Sequence, residues 1–147
     1  MKNEDFYQLC VDLSREFGEK DIFHLAEHGE ILLQECRVGL YYNEEVDELI
    51  SCFVDLGYLE DTLRPEIFET ILSINLELSG INSESLGFDR DTGHLVLRAD
   101  IACEYDASQI AEFLSDYLDF SKELQNLIAS QSHGDEGLSE FFLGKAA

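Results

Sequence analysis

His24-Leu25-Ala26-Glu27-His28 is the stretch of this chain whose residue types and spacing come closest to catalytic chemistry. On a helix, residues four apart share a face, so His24 and His28 could both bind zinc while Glu27 activates a water. Gly29 follows at once, so the long helix such a site requires is not evident. The expectation is two exposed histidines in a polar connection, with the small zinc hydrolase kept as an unfavoured alternative. Asp89-Arg90-Asp91-Thr92-Gly93 resembles the start of a calcium loop, but His94 stands where the loop needs glycine and Asp100 where it needs glutamate. A hairpin turn built on Asp and Gly is the better reading. No G-x-S-x-G, Walker or Rossmann pattern occurs. Cys10, Cys36, Cys52 and Cys103 each sit in an apolar-periodic stretch, where a packed thiol is the ordinary explanation. No catalytic residue, metal or cofactor is expected.

The charge balance narrows the partners. Thirty-two acids against nine bases leave a formal charge of −23, while 45% of the residues are hydrophobic. Such a field repels nucleic acid and anionic membranes and favours basic protein partners. The apolar content is too high for a disordered acidic tail. Four widely spaced cysteines without a C-x-x-C pair suggest reduced thiols. Neither a signal peptide nor a membrane-spanning run is visible, which points to the cytosol.

The elements that must position any surface follow from periodicity. Phe6, Leu9, Cys10, Leu13 and Phe17 mark a first amphipathic helix, with Asn3 as its expected cap and Gly18 as its stop. Residues 19–30 are ambiguous between a short helical turn and an irregular connection. Ile31 to Tyr42 reads as one strand, and Leu49 to Leu59 as a second with apolar groups on both faces, hence central and covered. Pro65 opens a helix that Gly80 can end. Two strands then flank the Asp89–Gly93 turn. Asp106 and Gln109 stand as a capping box before a last helix running from Ala107 to about Ser130. The order α-β-β-α-β-β-α predicts an α+β fold: one domain, residues 1–130, with a twisted antiparallel sheet packed by helices. Residues 131–147 are expected to be a flexible acidic and apolar tail, with Leu138, Phe141, Phe142 and Leu143 able to dock on the body.

The helix after Pro65 carries two apolar stripes. Ile67, Ile71, Ile74 and Leu78 form one, and Phe68, Leu72 and Leu76 form a second beside it. A helix lying on its own sheet needs only one, so a second copy of the chain is the simplest further partner. Expected dimer contacts are Phe68, Ile71, Leu72 and Leu76, with Leu86 and Phe88. Which stripe faces home could be reversed. Asn75 projects between the two and could fix register by hydrogen bonding.

Pro65-Glu-Ile-Phe-Glu-Thr-Ile-Leu-Ser-Ile-Asn-Leu-Glu77 and Leu86-Gly-Phe-Asp-Arg-Asp-Thr-Gly-His-Leu-Val-Leu-Arg98, closed by the long helix from Asp106, resemble the core of the class I type III secretion chaperones, the Tir chaperone (CesT-like) family. Arg37–Glu44, Asp47–Leu59 and the Phe6–Phe17 helix fit the family's upstream elements. The tryptophan its last helix often carries is absent, and residues 19–35 and the tail match loosely. The resemblance implies an acidic, bacterial, cytoplasmic homodimer without enzymatic activity. It would bind the N-terminal segment of a secreted effector in extended form and pass it to the secretion apparatus and its ATPase. By analogy the effector would lie in grooves of the first helix and the sheet, at Phe6, Leu9, Leu13 and Phe17 with Leu40, Tyr42, Ile50 and Val54. A client strand could also pair with an exposed sheet edge. An adaptor or regulator on the same fold, sequestering a regulatory protein, is the alternative.

Overall fold

Asn3–Glu16 forms α1, which buries Cys10, Val11, Leu13 and Ser14. Its start differs from expectation. The backbone of Lys2 caps the helix and donates to the Asp5 carboxylate at 3.0 Å. Asn3 instead reaches across the molecule. Its Oδ1 accepts from the Glu44 backbone N–H at 3.1 Å, and its Nδ2 donates to the Glu44 carboxylate. Gly18, at φ +70°, ends the helix. The computed structural model describes residues 1–78 and 80–131, so the tail expected over residues 131–147, with Leu138, Phe141, Phe142 and Leu143, lies outside the described residues apart from Gln131.

The ambiguous segment contains α2, His24–His28, closed by Gly29 at φ +78°. The single strand expected over Ile31–Tyr42 is in fact a hairpin. β1 (Glu30–Leu33) and β2 (Cys36–Tyr41) are joined by Gln34 and Glu35, both at positive φ. Two consecutive left-handed residues match the strand twist. β3, Leu49–Tyr58, carries an irregularity between Asp55 and Gly57, where Gly57 takes φ +103°.

A short 3-10 turn, Asp61–Leu63, leads into α3, Arg64–Glu77, which has Pro65 in its first turn. Arg64 pairs with Asp61 at 2.7 Å, donates to the Leu59 carbonyl and lies over the Phe88 ring. The helix ends at Glu77 because Leu78 is extended, two residues before Gly80. β4 (Ser85–Asp89) and β5 (His94–Ala102) form the expected hairpin, with Gly93 at φ +76° donating to Asp89. The last helix, α4 (Ala107–Gln131), starts at the anticipated capping box. Asp106 and Gln109 each accept from the other's backbone N–H at 2.9 Å.

The five strands are antiparallel throughout, in the order β1-β2-β3-β5-β4. One face carries Ile31, Leu33, Val38, Leu40, Ile50, Cys52, Val54, Leu97, Ala99 and Ile101, all buried with Leu13 of α1 and Ile110, Leu114 and Leu118 of α4. Central β3 was expected to be covered on both faces. Its second face, Ser51, Phe53 and Asp55, is only half-buried. An antiparallel sheet can leave one side to solvent, and Phe53 is shielded by neighbours instead, with Tyr41 edge-on and the Arg98 guanidinium above.

Candidate functional site: apolar surfaces on the first and third helices

Three surfaces on this scaffold are candidates for holding a protein. The first is the outer side of α3. Ile67, Ile71 and Ile74 are buried in the home core, so the first stripe is the one that faces the sheet. Of the second stripe, Phe68 is half-buried against Phe88, with ring centroids 4.9 Å apart. Leu72 is 70% exposed, Leu76 88%, and Ile81, just beyond the helix, 78%. Three large aliphatic side chains left in water within ten residues amount to an unfinished apolar surface. Ile71 and Leu86, also expected at a dimer contact, are buried within the chain and support this surface from beneath.

The second surface lies where α1 meets the end of β2. Phe6 and Tyr42 touch at 5.6 Å between centroids, and the Tyr42 hydroxyl donates to the Met1 carbonyl at 2.7 Å. Phe6, Leu9, Phe17 and Tyr42 are half-buried, each presenting an edge to solvent. The other four expected groove residues are placed differently. Leu13, Leu40, Ile50 and Val54 are at most 1% exposed. They form the floor of the core beneath this surface, because their strand and helix periodicity turns them inward.

The third is the pair of sheet edges. Among the described residues no strand lies on the outer side of β1, and Leu32 there is 63% exposed. At β4 the edge is occupied. The Asn75 side-chain amide donates to the Leu86 carbonyl and accepts from the Leu86 N–H, both at 2.8 Å. Asn75 thus fixes register within the chain, between α3 and β4. A further polar cluster was invisible to sequence reasoning. Buried Asn82 donates to the Tyr117 hydroxyl at 3.0 Å, and Tyr117 donates to the Glu84 carboxylate at 2.8 Å. Burial and the facing carboxylate push the Tyr117 hydroxyl's pKa up. The tie holds the α3–β4 connection against the middle of α4.

The chemistry-bearing residues do not assemble. His24, Glu27 and His28 are exposed on a five-residue helix, and no group of three potential metal ligands occurs among the described residues. Burial pushes the Cys10 and Cys52 thiols up to about 12, the opposite of nucleophilic activation. Cys36 is also raised by burial and donates to the Asp55 carbonyl, while half-buried Cys103 donates to the Glu48 carbonyl. No helix among the described residues is long and apolar enough to cross a membrane.

Among the described residues, this helix-backed antiparallel sheet leaves large apolar side chains exposed and one strand edge unpaired, surface features of the kind that bind proteins. Residues 9–125 match the Tir chaperone protein (CesT) family, and the chain belongs to that family of type III secretion chaperones. In fold it is similar to a chain of the crystal structure of the ExsC–ExsE complex, with a TM-score of 0.72 and 24% sequence identity over 87% of this chain and 97% of that one. No curated protein sequence matches it.

Proposed function

We propose that this chain works as a homodimeric type III secretion chaperone in the bacterial cytoplasm, without enzymatic activity. It binds the N-terminal segment of a secreted effector and keeps it soluble, extended and competent for transfer to the secretion ATPase. The family match over residues 9–125 carries the reading, and the unpartnered surfaces support it. Leu72, Leu76 and Ile81, with Phe68 and Phe88 beside them, suit a second copy of α3. Phe6, Leu9, Phe17 and Tyr42, floored by Leu13, Leu40, Ile50 and Val54, suit apolar client side chains. β1 suits a client strand, since backbone hydrogen bonds tolerate sequence variation. The charge of −23 suits a basic client.

Copurification from the native bacterium, followed by mass spectrometry, tests the proposal. The expected companion is one secreted protein bound through its N-terminal segment. Recovery of a regulatory protein that is not secreted favours the adaptor reading, for which ExsC in complex with ExsE is a reason to look. A strict monomer that retains no partner rules out both.

A further inference from the structure

Strand alternation puts Glu30 and Leu32 of β1 on the half-buried face of the sheet, the face that also carries Tyr41 and Phe53. The register pairs Glu30 with Gly39 and Leu32 with Arg37. Gly39 has no side chain, and the Tyr41 ring fills the space it leaves. A Cβ at Gly39 would stand 3.0 Å from Cε2 of that ring and 3.1 Å from its hydroxyl oxygen. Phe53 holds Tyr41 edge-on, with ring centroids 5.8 Å apart, and Tyr41 remains 48% exposed. Glu30, Gly39, Tyr41 and Phe53 line part of a cleft of about 320 Å³, a volume within the range of built binding pockets. Neither Glu30 nor Arg37 belongs to an ion pair among the described residues. A carboxylate without a counter-ion, set beside a fixed aromatic ring, suits a cationic side chain.

The free edge decides how such a side chain arrives. Glu30 and Leu32 turn their backbone groups away from β2, because Gly29, Ile31 and Leu33 make the bonds to it. A strand added there sets side chains about 5 Å from Glu30 and Leu32 on the same face. Beside Leu32, which is 63% exposed, an apolar side chain gains most. Arg37 flanks Leu32 on its other side and disfavours a second cation at that position. Beside Glu30 the preference is the opposite, since carboxylate and ring both attract positive charge.

We infer that Glu30 and Tyr41 select the strand that β1 accepts: a client segment with arginine or lysine beside Glu30 and an apolar residue two positions away, beside Leu32. The inference rests on the proposed pairing of a client strand with β1 and supplies its side-chain rule. The charge of −23 attracts any basic segment, whereas this pair fixes where in the strand the cation stands.

The test titrates the full chain, with isotope-labelled amides, using short threonine–serine host peptides. The peptides carry Leu-Thr-Arg, or Arg-Thr-Leu for the opposite strand direction, and matched peptides carry Glu in place of Arg. In one direction the Arg peptide is expected to shift the Glu30 and Leu32 amide resonances and to bind about tenfold tighter than its Glu counterpart. The ratio should shrink as salt rises. Glu30→Lys is expected to reverse the ranking and Glu30→Gln, which keeps the side-chain shape, to cancel it. Tyr41→Ala should weaken the Arg peptide several-fold while the Leu32 amide still shifts. Arg and Glu peptides that bind equally while shifting the Leu32 amide, or a ranking unchanged in both Glu30 variants, overturn the selection and leave strand pairing in place. Amides of β1 unmoved by every peptide overturn the pairing itself, and the selection with it.

Discussion

The carboxamide of Asn75 forms two 2.8 Å hydrogen bonds with the backbone of Leu86, donating to its carbonyl and accepting from its N–H. An amide side chain here takes the position of a neighbouring strand, so β4 is closed to edge pairing while β1 stays open. Asn75→Ala removes both bonds and leaves two backbone groups without their partner. At about 1 kcal/mol per bond, the loss should be about 2 kcal/mol, read as a lower urea midpoint at unchanged m-value. Concentration-dependent association through the uncovered β4 edge should accompany it. An unchanged midpoint would show that water replaces Asn75 without cost.

The exposed stripe of α3 makes a prediction about mass. Leu72 and Leu76 are 70% and 88% exposed, so replacing them costs the isolated fold little. Leu72→Asp/Leu76→Asp would bury two carboxylates in an apolar seam, which the assembly cannot tolerate. Light scattering coupled to gel filtration should report a dimer for the parent and a folded monomer for the variant. A variant that keeps the parent's mass excludes this stripe from the dimer contact.

These two predictions mark what the residues alone revealed. The doubled stripe of α3, the Asp106–Gln109 cap and the Asp89–Gly93 turn are local patterns, and each is present in the fold. Gln34–Glu35 was missed because neither residue is the glycine or asparagine that normally signals two left-handed positions. Asn3 has the residue type and position of a helix cap, yet its partner Glu44 lies forty-one residues away and no local rule supplies it. The surface on α1 shows the same limit. Helix and strand periods group Leu13 with Phe6, and Leu40 with Tyr42, but only packing decides which members are sealed and which keep an edge in water. The Asn82–Tyr117–Glu84 tie is likewise a product of tertiary placement.

The thiols predict an alkaline limit to stability. Burial raises the Cys10 and Cys52 pKa values to about 12, well above the ordinary thiol value of 9.0. Below the unfolded pKa the thiols are neutral in both states and cost the fold nothing. Above about pH 9 the unfolded chain gains thiolates that the folded chain cannot form, so stability declines progressively up to about pH 12. Chemical denaturation at pH 8 and pH 10 should show a lower midpoint at the higher value, and Cys10→Ala/Cys52→Ala should flatten that difference. A disulfide reagent at pH 8 should label half-buried Cys103 first and the three buried thiols only on unfolding.

The open edge of β1 can be tested without disturbing its pairing. The register Ile31–Val38 and Leu33–Cys36, together with the bond from the Leu40 N–H to the Gly29 carbonyl, turns the backbone of Leu32 away from β2. Leu32→Pro therefore removes an N–H that no strand among the described residues uses, and proline is tolerated at such an edge. Thermal stability should change by less than about 1 kcal/mol, because the inward-facing ladder is untouched. A client strand lying along β1 would lose that hydrogen bond and meet the proline ring. Affinity for the copurified client segment, measured by calorimetry, should then fall at least tenfold, or about 1.4 kcal/mol. Phe6→Ala, which trims the α1 surface instead, should weaken the same client while leaving β1 free. If Leu32→Pro binds as tightly as the parent and Phe6→Ala does not, the client is held by side-chain contacts on α1 alone.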